Sequence, residues 1–167
     1  MPIQPSTTAI LFFSNSVEEE VRRKHLLSGN KNKELLKALR TKSLNTLRES
    51  DFPVFEYSEK HQTGGTFGER ISNAMEEVFA QGYDRLICVG SDCPELSLAN
   101  IQQANHSLET DDLVLGPDFR GGVFLIGIRK EAFEKRSFSE LQWNSKDLIS
   151  SFIGYGKGLN VHFLEAR

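Results

Sequence analysis

The sequence predicts a single α/β domain in which helices cover both faces of a mostly parallel sheet. Short apolar runs of strand length alternate with longer segments of helical period, which is the pattern of strand–helix units. The chain has 167 residues, the usual size of one domain with one core. Ligands of open α/β sheets bind at the carboxyl ends of the strands. A site is therefore expected in the loops after Phe13, Tyr57, Gly90 and Gly116.

The composition is that of an ordinary folded protein. Hydrophobic residues make up 38% of the chain, charged residues 26%, and the formal net charge is -3, which excludes the composition of disordered chains. A net acidic chain without a basic stripe interleaved with aromatic residues does not fit nucleic-acid binding. No apolar run approaches the roughly 20 residues that span a bilayer. Residues 1–13 lack the basic start of a signal peptide, so we expect a cytoplasmic protein.

Cysteine and histidine give no metal motif. Cys88 and Cys93 lie in one predicted strand and the turn after it, where a disulfide is geometrically awkward, so both are expected to be reduced. The histidines are scattered, without the spacing of a zinc site. The sequence therefore shows no metal site made of histidine or cysteine.

The first half of the chain contains two predicted strands and one long helix. Residues 8–13 form a continuous apolar run that is too short for a helix, which is typical of a buried strand. Leucines recur at near-helical spacing over residues 33–47 and predict an amphipathic helix, which the break at 28–30 separates from an earlier helical turn. Residues 53–57 predict a second strand, because a proline is tolerated at a strand start.

The second half continues the alternation of helix and strand. The apolar stripe of residues 67–79 predicts a helix that Gly82 ends. Residues 85–90 are typical of a central parallel strand that is buried on both faces. Ser97 is expected to cap a helix that runs to about Leu108. The remaining predicted elements are strands at 112–116 and 123–128, a helix at 145–155 and a strand at 160–164.

Asp92 directly follows the predicted strand 85–90, in the loop Ser91-Asp92-Cys93-Pro94. A carboxylate held at a strand end suits Mg²⁺ or Mn²⁺, which take one or two protein carboxylates and complete their shell with water and substrate phosphate oxygens. The alternative is a turn aspartate that bonds to nearby backbone. Both interpretations stay open from the residues alone.

A glycine-rich segment, GGTFGER at residues 64–70, leads into the third predicted helix. Backbone N–H groups at a helix start favour a phosphate or a base carbonyl, and Arg70 adds a cation. The alternative is that Thr66 and Glu69 form a capping box, which explains both residues by helix initiation alone.

Two further segments also have both a functional and a structural interpretation. Gly121 and Gly122 would let a ligand approach the backbone closely, but a glycine pair between two strands favours a tight hairpin. The basic residues 22–25 could face a phosphate, although the glutamates at 18–20 would oppose it. The structural alternative is a charged first helical turn, in which glutamates favour the positive end of the helix.

Two stretches, GGTFGERISNAMEEVFAQGYDRLICVGSDCPEL and LVLGPDFRGGVFLIGIRK, resemble a bacterial family of glycosyltransferase-A-like proteins of unknown function. Its members carry a Gly-x-x-Gly-Glu-Arg helix start, a Gly-Ser/Thr-Asp-Cys-Pro turn and a Leu-Gly-Pro-x-x-x-Gly-Gly hairpin followed by Leu-Ile-Gly. All three motifs occur here in that order. The resemblance implies the nucleotide-diphospho-sugar transferase (GT-A) fold, a three-layer α/β/α sandwich with a mostly parallel mixed sheet, as one domain over residues 1–167.

The resemblance also implies roles for individual residues. Asp92 is similar to the aspartate that bridges Mg²⁺ or Mn²⁺ to the nucleotide diphosphate. Asp118 is the candidate catalytic base, with a turn aspartate as the alternative. The implied nucleotide-binding residues are Phe12, Arg22, Lys24, Gly68 and Arg70, and the implied substrate-binding residues are Pro94, Gly121 and Gly122.

This chain differs from the family pattern in two places. Members begin with Phe-Ala-Lys-x-Pro-x-x-Gly-x-Val-Lys-Thr-Arg-Leu, a loop that receives the nucleotide phosphates. Aligned from Phe12, this chain has Ser14 at the first Lys, and Glu18 and Glu19 lie in the stretch where the family has its Pro and Gly. A glutamate pair beside a pyrophosphate opposes binding. Members also continue into an Asp-x-Asp-Thr segment, a candidate metal ligand that is not found after Leu164 here.

Three functions follow from these expectations. The first is transfer from a nucleotide-diphospho-sugar donor with a divalent metal, and the second is nucleotidyl transfer, as in guanylyltransferases. The third is a non-catalytic binding protein that keeps the fold and has lost the nucleotide site, for which Glu18 and Glu19 are a reason. The expected partner is a nucleotide sugar or a nucleotide, and the protein could also form a homodimer.

Overall fold

The described residues, 7–167 of a computed structural model, contain one six-stranded sheet. Its strands are β1 (Thr8–Phe13), β2 (Val54–Tyr57), β3 (Arg85–Val89), β4 (Leu113–Pro117), β5 (Val123–Arg129) and β6 (Val161–Phe163). Their order in the sheet is β2-β1-β3-β5-β4-β6. β5 is antiparallel to β3 and β4, and the other neighbouring pairs are parallel. The predicted α/β fold with a mostly parallel mixed sheet is confirmed.

Helices cover both faces of this sheet. In the described part of the chain they are α1 (Val17–Arg23), α2 (Asn30–Arg48), α3 (Phe67–Phe79), α4 (Leu98–Ser107), α5 (Lys135–Ser139) and α6 (Leu148–Tyr155), with a short 3-10 helix at Lys130–Ala132. Side chains of α3, α5 and α6 pack on one face, and those of α2 and α4 pack on the other. The expected three layers are therefore present.

The side chains of β1 alternate between the two faces. Ala9, Leu11 and Phe13 belong to the core under α3, and Ile10 and Phe12 belong to the core under α2 and α4. None of these side chains is more than 8% exposed. A strand that is covered on both faces buries every side chain, which is why a continuous apolar run forms β1.

Side-chain caps fix where two of the helices begin. Thr66 Oγ1 accepts a hydrogen bond from Glu69 N at 3.1 Å, and the Glu69 carboxylate accepts one from Thr66 N at 3.3 Å, which confirms the capping box. Ser97 caps α4 as predicted. α2 begins at Asn30 rather than at the predicted residue 33, directly after Gly29, whose φ is +64°.

The chain reverses direction between β4 and β5. The loop 118–122 joins them as a hairpin, which confirms the hairpin interpretation of Gly121 and Gly122. β3 is parallel to β1 and antiparallel to β5. The prediction of a central parallel strand at 85–90 is therefore right for one neighbour and wrong for the other, because the returning arm of the hairpin lies beside β3.

The start of the chain, residues 1–6, lies outside the described residues, and it forms the first part of the segment 1–13 used above to judge a signal peptide. Across residues 7–167, no helix is both long enough and apolar enough to cross a membrane. Cys88 and Cys93 are both free, as expected. Burial raises the pKa of the Cys88 thiol to about 12.

Candidate functional site

The carboxyl ends of β1, β2, β3 and β4 meet at one edge of the sheet, which we call the carboxyl edge. The chain leaves β1 toward β2 on one side and later returns to β3 on the other, so the crevice of this fold lies between the ends of β1 and β3. Ser14 and Ser91 follow these strands, and their hydroxyl oxygens are 2.7 Å apart. The loops of the carboxyl edge are 14–16, 58–66, 90–97 and 118–122.

Asp92 lies on the carboxyl edge with its side chain 81% exposed. Its carboxylate contacts the Lys24 ammonium, which also contacts Glu20 Oε2 at 2.7 Å. Partial burial alone would lower the pKa of Lys24, but the contacts with Asp92 and Glu20 outweigh it and raise that pKa above its ordinary value. Pro94 is exposed in the turn before α4. The structure thus brings together two residues from the predicted site, Asp92 and Lys24.

A carboxylate from the neighbouring loop holds the loop between β1 and α1. Glu59 accepts hydrogen bonds from Ser16 N at 2.7 Å and from Ser16 Oγ at 2.5 Å. Ser16 Oγ in turn accepts a hydrogen bond from Glu19 N and caps α1. Partial burial raises the pKa of Glu59, but the hydrogen bonds from Ser16 outweigh it and leave that pKa below its ordinary value. The segment in which the resemblance implies nucleotide phosphates therefore already binds a carboxylate of the chain.

Two of the implied nucleotide-binding residues, Phe12 and Arg22, make no described side-chain contact with Asp92 or Lys24. Phe12 is 0% exposed, and the guanidinium carbon of Arg40 lies 5.2 Å from its ring centroid. A fully buried ring has no free face, so in this structure any role of the Phe12 side chain in ligand binding is indirect. Arg22 is 79% exposed and pairs with Glu19 at 3.1 Å.

The glycine-rich segment places Gly68 inward and Arg70 beside the end of β1. A Cβ on Gly68 would lie 1.9 Å from Ser139 O, so the packing of α3 against the end of α5 requires a glycine there. The Arg70 guanidinium carbon is 6.0 Å from the centroid of the Phe67 ring, which packs edge-on against Phe13 at 5.5 Å. Within residues 7–167, Arg70 forms no ion pair.

Asp118 organises the hairpin between β4 and β5. Its Oδ1 accepts hydrogen bonds from Arg120 N at 2.8 Å and from Gly122 N at 2.9 Å. Gly121 has a φ of +87°, and a Cβ there would lie 2.3 Å from Lys146 O. Asp118 therefore acts as a turn aspartate in this structure, and its catalytic role stays a prediction.

The groups around Asp92 show whether this part of the structure fits the predicted Mg²⁺ or Mn²⁺. In the part of the chain that the structure describes, no group of three or more His, Cys, Asp or Glu side chains is placed to hold a metal ion. The carboxylates of Asp92 and Glu20 lie on the Lys24 ammonium. A divalent ion at Asp92 would displace this ammonium or be repelled by it. The residues present therefore do not fit a divalent metal in this arrangement.

Sequence reasoning did not single out Glu20 or Glu59 as site residues. The spacing of Glu20 and Lys24 is a readable signal, because residues four apart on a helix lie on one face. Glu59 follows β2, in one of the loops where a site was expected, but its partner Ser16 lies 43 positions away. Such a contact depends on the pairing of β1 and β2, which sequence spacing does not give.

A surface cavity of about 580 Å³ lies away from these residues. It is lined by residues that follow β5 and by residues of α5 and α6, among them Glu131, Tyr155 and Lys157. β5 ends at the opposite edge of the sheet, because Arg129 pairs with Arg85 at the start of β3. The cavity contains none of the predicted site residues, and the topology favours the carboxyl edge as the site.

Solved structures that are similar to this chain share its fold. A "putative nucleotide-diphospho-sugar transferase" from Desulfovibrio desulfuricans G20 has a TM-score of 0.84 and 26% sequence identity, and the match covers 97% of this chain and 81% of that chain. Rv0371c from Mycobacterium tuberculosis H37Rv has a TM-score of 0.60 and 10% identity, with 99% and 91% covered. The same protein in complex with manganese has a TM-score of 0.53 and 9% identity, with 96% and 88% covered. The 4-diphosphocytidyl-2C-methyl-D-erythritol synthase from Anaerococcus prevotii DSM 20548 has a TM-score of 0.58 and 11% identity, with 97% and 90% covered.

The comparison with curated proteins gives no match. The comparison with protein families gives a match over the greater part of the chain. A bacterial family described as "Uncharacterized protein conserved in bacteria (DUF2064)" matches residues 19–145. These residues include Lys24, Asp92 and Asp118, and they extend from α1 to beyond α5. The protein therefore belongs to the DUF2064 family of bacteria.

Proposed function

We propose that this protein binds a nucleotide-diphospho-sugar at the carboxyl edge and transfers its sugar to an acceptor. The observation that carries the proposal is the contact of Lys24 with Asp92 beside the crevice between β1 and β3. Open α/β sheets bind their ligands in this crevice. The similarity to the Desulfovibrio protein, described as a putative nucleotide-diphospho-sugar transferase, supports the same class of donor.

The proposed chemistry places cations where negative charge develops. When the bond from the sugar to the diphosphate breaks, charge grows on the leaving diphosphate, and fixed cations stabilise it. Lys24 and Arg70 are the candidate cations. Asp118 is the candidate base for the acceptor hydroxyl, because the hairpin N–H groups bind its Oδ1 and would keep the carboxylate oriented while Oδ2 stays available.

Mg²⁺ or Mn²⁺ is the cofactor that the resemblance implies, and the proposed sugar transfer does not depend on it. The support is comparative, since Rv0371c, which shares the fold, is described in complex with manganese. Around Asp92 the structure opposes it, because a lysine ammonium already lies on that carboxylate. The binding experiment is therefore made both with and without the metal.

The test is calorimetric titration of the protein with UDP, GDP, CDP and dTDP, each in EDTA and in Mn²⁺. Micromolar binding of one nucleotide supports a donor site and identifies its base. Absence of heat and of thermal stabilisation with every nucleotide, in both conditions, contradicts the proposal. Nucleotidyl transfer, the alternative enzyme class, is distinguished by release of pyrophosphate from a nucleoside triphosphate.

A second candidate function is a non-catalytic binding protein. The observation that favours it is the hydrogen bonding of Glu59 to Ser16, which places a carboxylate in the loop where phosphates would bind. Like charges repel, so this loop opposes a phosphate as long as Glu59 stays there. Tight binding of a partner protein, with no response to nucleotide or metal, would favour this candidate over sugar transfer.

A further inference from the structure

Lys24 lies where the resemblance implies a divalent metal. Its ammonium contacts the carboxylate of Asp92, the implied metal ligand, and also that of Glu20. We propose that Lys24 replaces the metal, so that its ammonium, held between Glu20 and Asp92, binds the diphosphate of the ligand without a divalent ion. This inference rests on the proposed function, whose nucleotide it takes as the ligand.

The ammonium has one hydrogen-bond donor left for a ligand. A lysine ammonium carries three N–H donors, and Glu20 and Asp92 accept from it in the described structure. The Lys24 side chain is 34% exposed, whereas that of Glu20 is only 11% exposed. The cation is therefore fixed from the protein side and accessible from the solvent side.

Two separate elements hold the ammonium in place. Glu20 belongs to α1, which follows β1, and Asp92 belongs to the loop that follows β3. These two strands are neighbours in the sheet and flank the crevice. A cation that is positioned before the ligand arrives loses little freedom on binding, which favours the charge-assisted hydrogen bond to a phosphate oxygen.

The nearby glutamates are partly neutralised. Glu19 pairs with Arg22 at 3.1 Å and with Arg23 at 2.8 Å, so its charge is balanced before any ligand binds. The guanidinium of Arg70, which forms no ion pair within residues 7–167 and lies near the Phe67 ring, supplies a further positive charge at the carboxyl edge. These contacts reduce the repulsion that the glutamates would otherwise exert on a diphosphate.

The proposal changes the role of Asp92. As a metal ligand, Asp92 would supply the charge that holds the ion, and Asp92→Asn would weaken nucleotide binding. As a positioning residue for Lys24, Asp92 is needed for its hydrogen-bond acceptor, which the amide oxygen of asparagine also provides. Asp92→Asn then removes one negative charge near the diphosphate, and affinity stays the same or rises.

The experiment is calorimetric titration of UDP, GDP, CDP and dTDP into the intact chain, in EDTA and then in Mn²⁺. We expect one of these nucleotides to bind in EDTA, with an affinity that Mn²⁺ changes by less than about threefold. Lys24→Gln is expected to lower that affinity about tenfold or more, because a charge-assisted hydrogen bond is lost. Lys24→Arg restores most of it. The matched control is Lys31→Gln, an exposed cation at the start of α2, for which we expect less than a threefold change.

The following results would overturn this inference, and one of them would also overturn the proposed function. Binding that requires Mn²⁺ and is lost in Asp92→Asn overturns this inference and leaves the proposed function standing. Equal losses in Lys24→Gln and Lys31→Gln also overturn it, because the effect of each substitution is then that of removing any nearby positive charge. No binding in either condition overturns both proposals. Far-UV circular dichroism checks the fold of each variant, and the sign of the Asp92→Asn effect tests the inference even if Lys24→Gln does not fold.

Discussion

At the scale of single residues, Gly68 and Gly154 are expected to respond in opposite ways to substitution by alanine. A Cβ on Gly68 would meet Ser139 O at 1.9 Å and Trp143 Cδ1 at 2.8 Å, whereas a Cβ on Gly154 in α6 would meet nothing within 4 Å. We expect Gly68→Ala to lower the free energy of unfolding by about 1–3 kcal/mol through overpacking. Gly154→Ala is expected to raise it by about 0.5–1 kcal/mol, because alanine favours a helix over glycine. Urea unfolding measures both, and a similar change in the two variants would contradict the packing described at Gly68.

Substitutions of Asp118 distinguish its structural role in the hairpin from a catalytic role. Asp118→Ala removes the acceptor of the Arg120 and Gly122 N–H groups, and we expect a loss of about 1–2 kcal/mol in the free energy of unfolding. Asp118→Asn keeps an oxygen acceptor and should change stability by less than about 0.5 kcal/mol.

The same Asp118→Asn variant tests the base. If Asp118 is the base for the acceptor, this variant binds nucleotide normally but loses sugar transfer. Unchanged sugar transfer would show that Asp118 stabilises the hairpin but is not the catalytic base. Urea unfolding, nucleotide titration and a transfer assay on one preparation distinguish these results.

The sequence indicates candidate site residues one by one, but it does not indicate their contacts. Asp92 follows a buried strand and was predicted for that reason, and the Thr66–Glu69 capping box is readable from spacing. The ammonium on Asp92 comes from a residue 68 positions away, and that contact exists only because β1 and β3 are neighbours. The requirement for glycine at position 68 is likewise a tertiary one, since it arises from the backbone of Ser139.

At the scale of elements, the contact of Glu59 with Ser16 joins the loops after β2 and β1. The pKa of Glu59 is lower in the folded chain than in the unfolded one, so its contribution to stability is present above the unfolded value of about 4.3. That contribution is lost as the pH falls through the lower folded value. Because Glu59 is only partly buried and solvent screens its charge, we expect a contribution below about 1 kcal/mol.

The measurement is the free energy of unfolding between pH 6 and pH 3. Glu59→Gln cannot titrate, so its stability should fall less steeply with acid than that of the unchanged protein. The matched control is Glu34→Gln, an exposed glutamate of α2 whose side chain forms no hydrogen bond or ion pair in the described structure. Identical pH profiles for Glu59→Gln and the unchanged protein would show that the contact does not stabilise the fold.

Element type followed from the sequence, whereas sheet position did not. The segments predicted as β1, α3 and β3 form with nearly the predicted bounds, because apolar period and caps are local signals. The hairpin of β4 and β5 was also indicated by Gly121 and Gly122. Its insertion with β5 beside β3 depends on how the whole sheet packs, and no local signal gives it.

At the scale of the whole molecule, the two cores share one sheet. β1 and β3 contribute side chains to both cores, so loss of packing on one face destabilises strands on which the other core also depends. Trp143 reports on one face, because its ring lies 5.4 Å from Phe67 and 5.3 Å from Phe138. We expect Trp143 fluorescence and far-UV circular dichroism to follow one coincident urea transition. Two separate midpoints would show that the layers unfold independently.

The most direct test of a ligand site at the carboxyl edge is to map amide chemical shifts while UDP, GDP, CDP and dTDP are titrated one at a time. The crevice between β1 and β3 predicts changes concentrated at Lys24 and in residues 14–16, 64–70, 90–94 and 118–122. Changes confined to the cavity beside Glu131 and Tyr155 would contradict a site at the carboxyl edge. Absence of any change at saturating nucleotide would contradict nucleotide binding altogether.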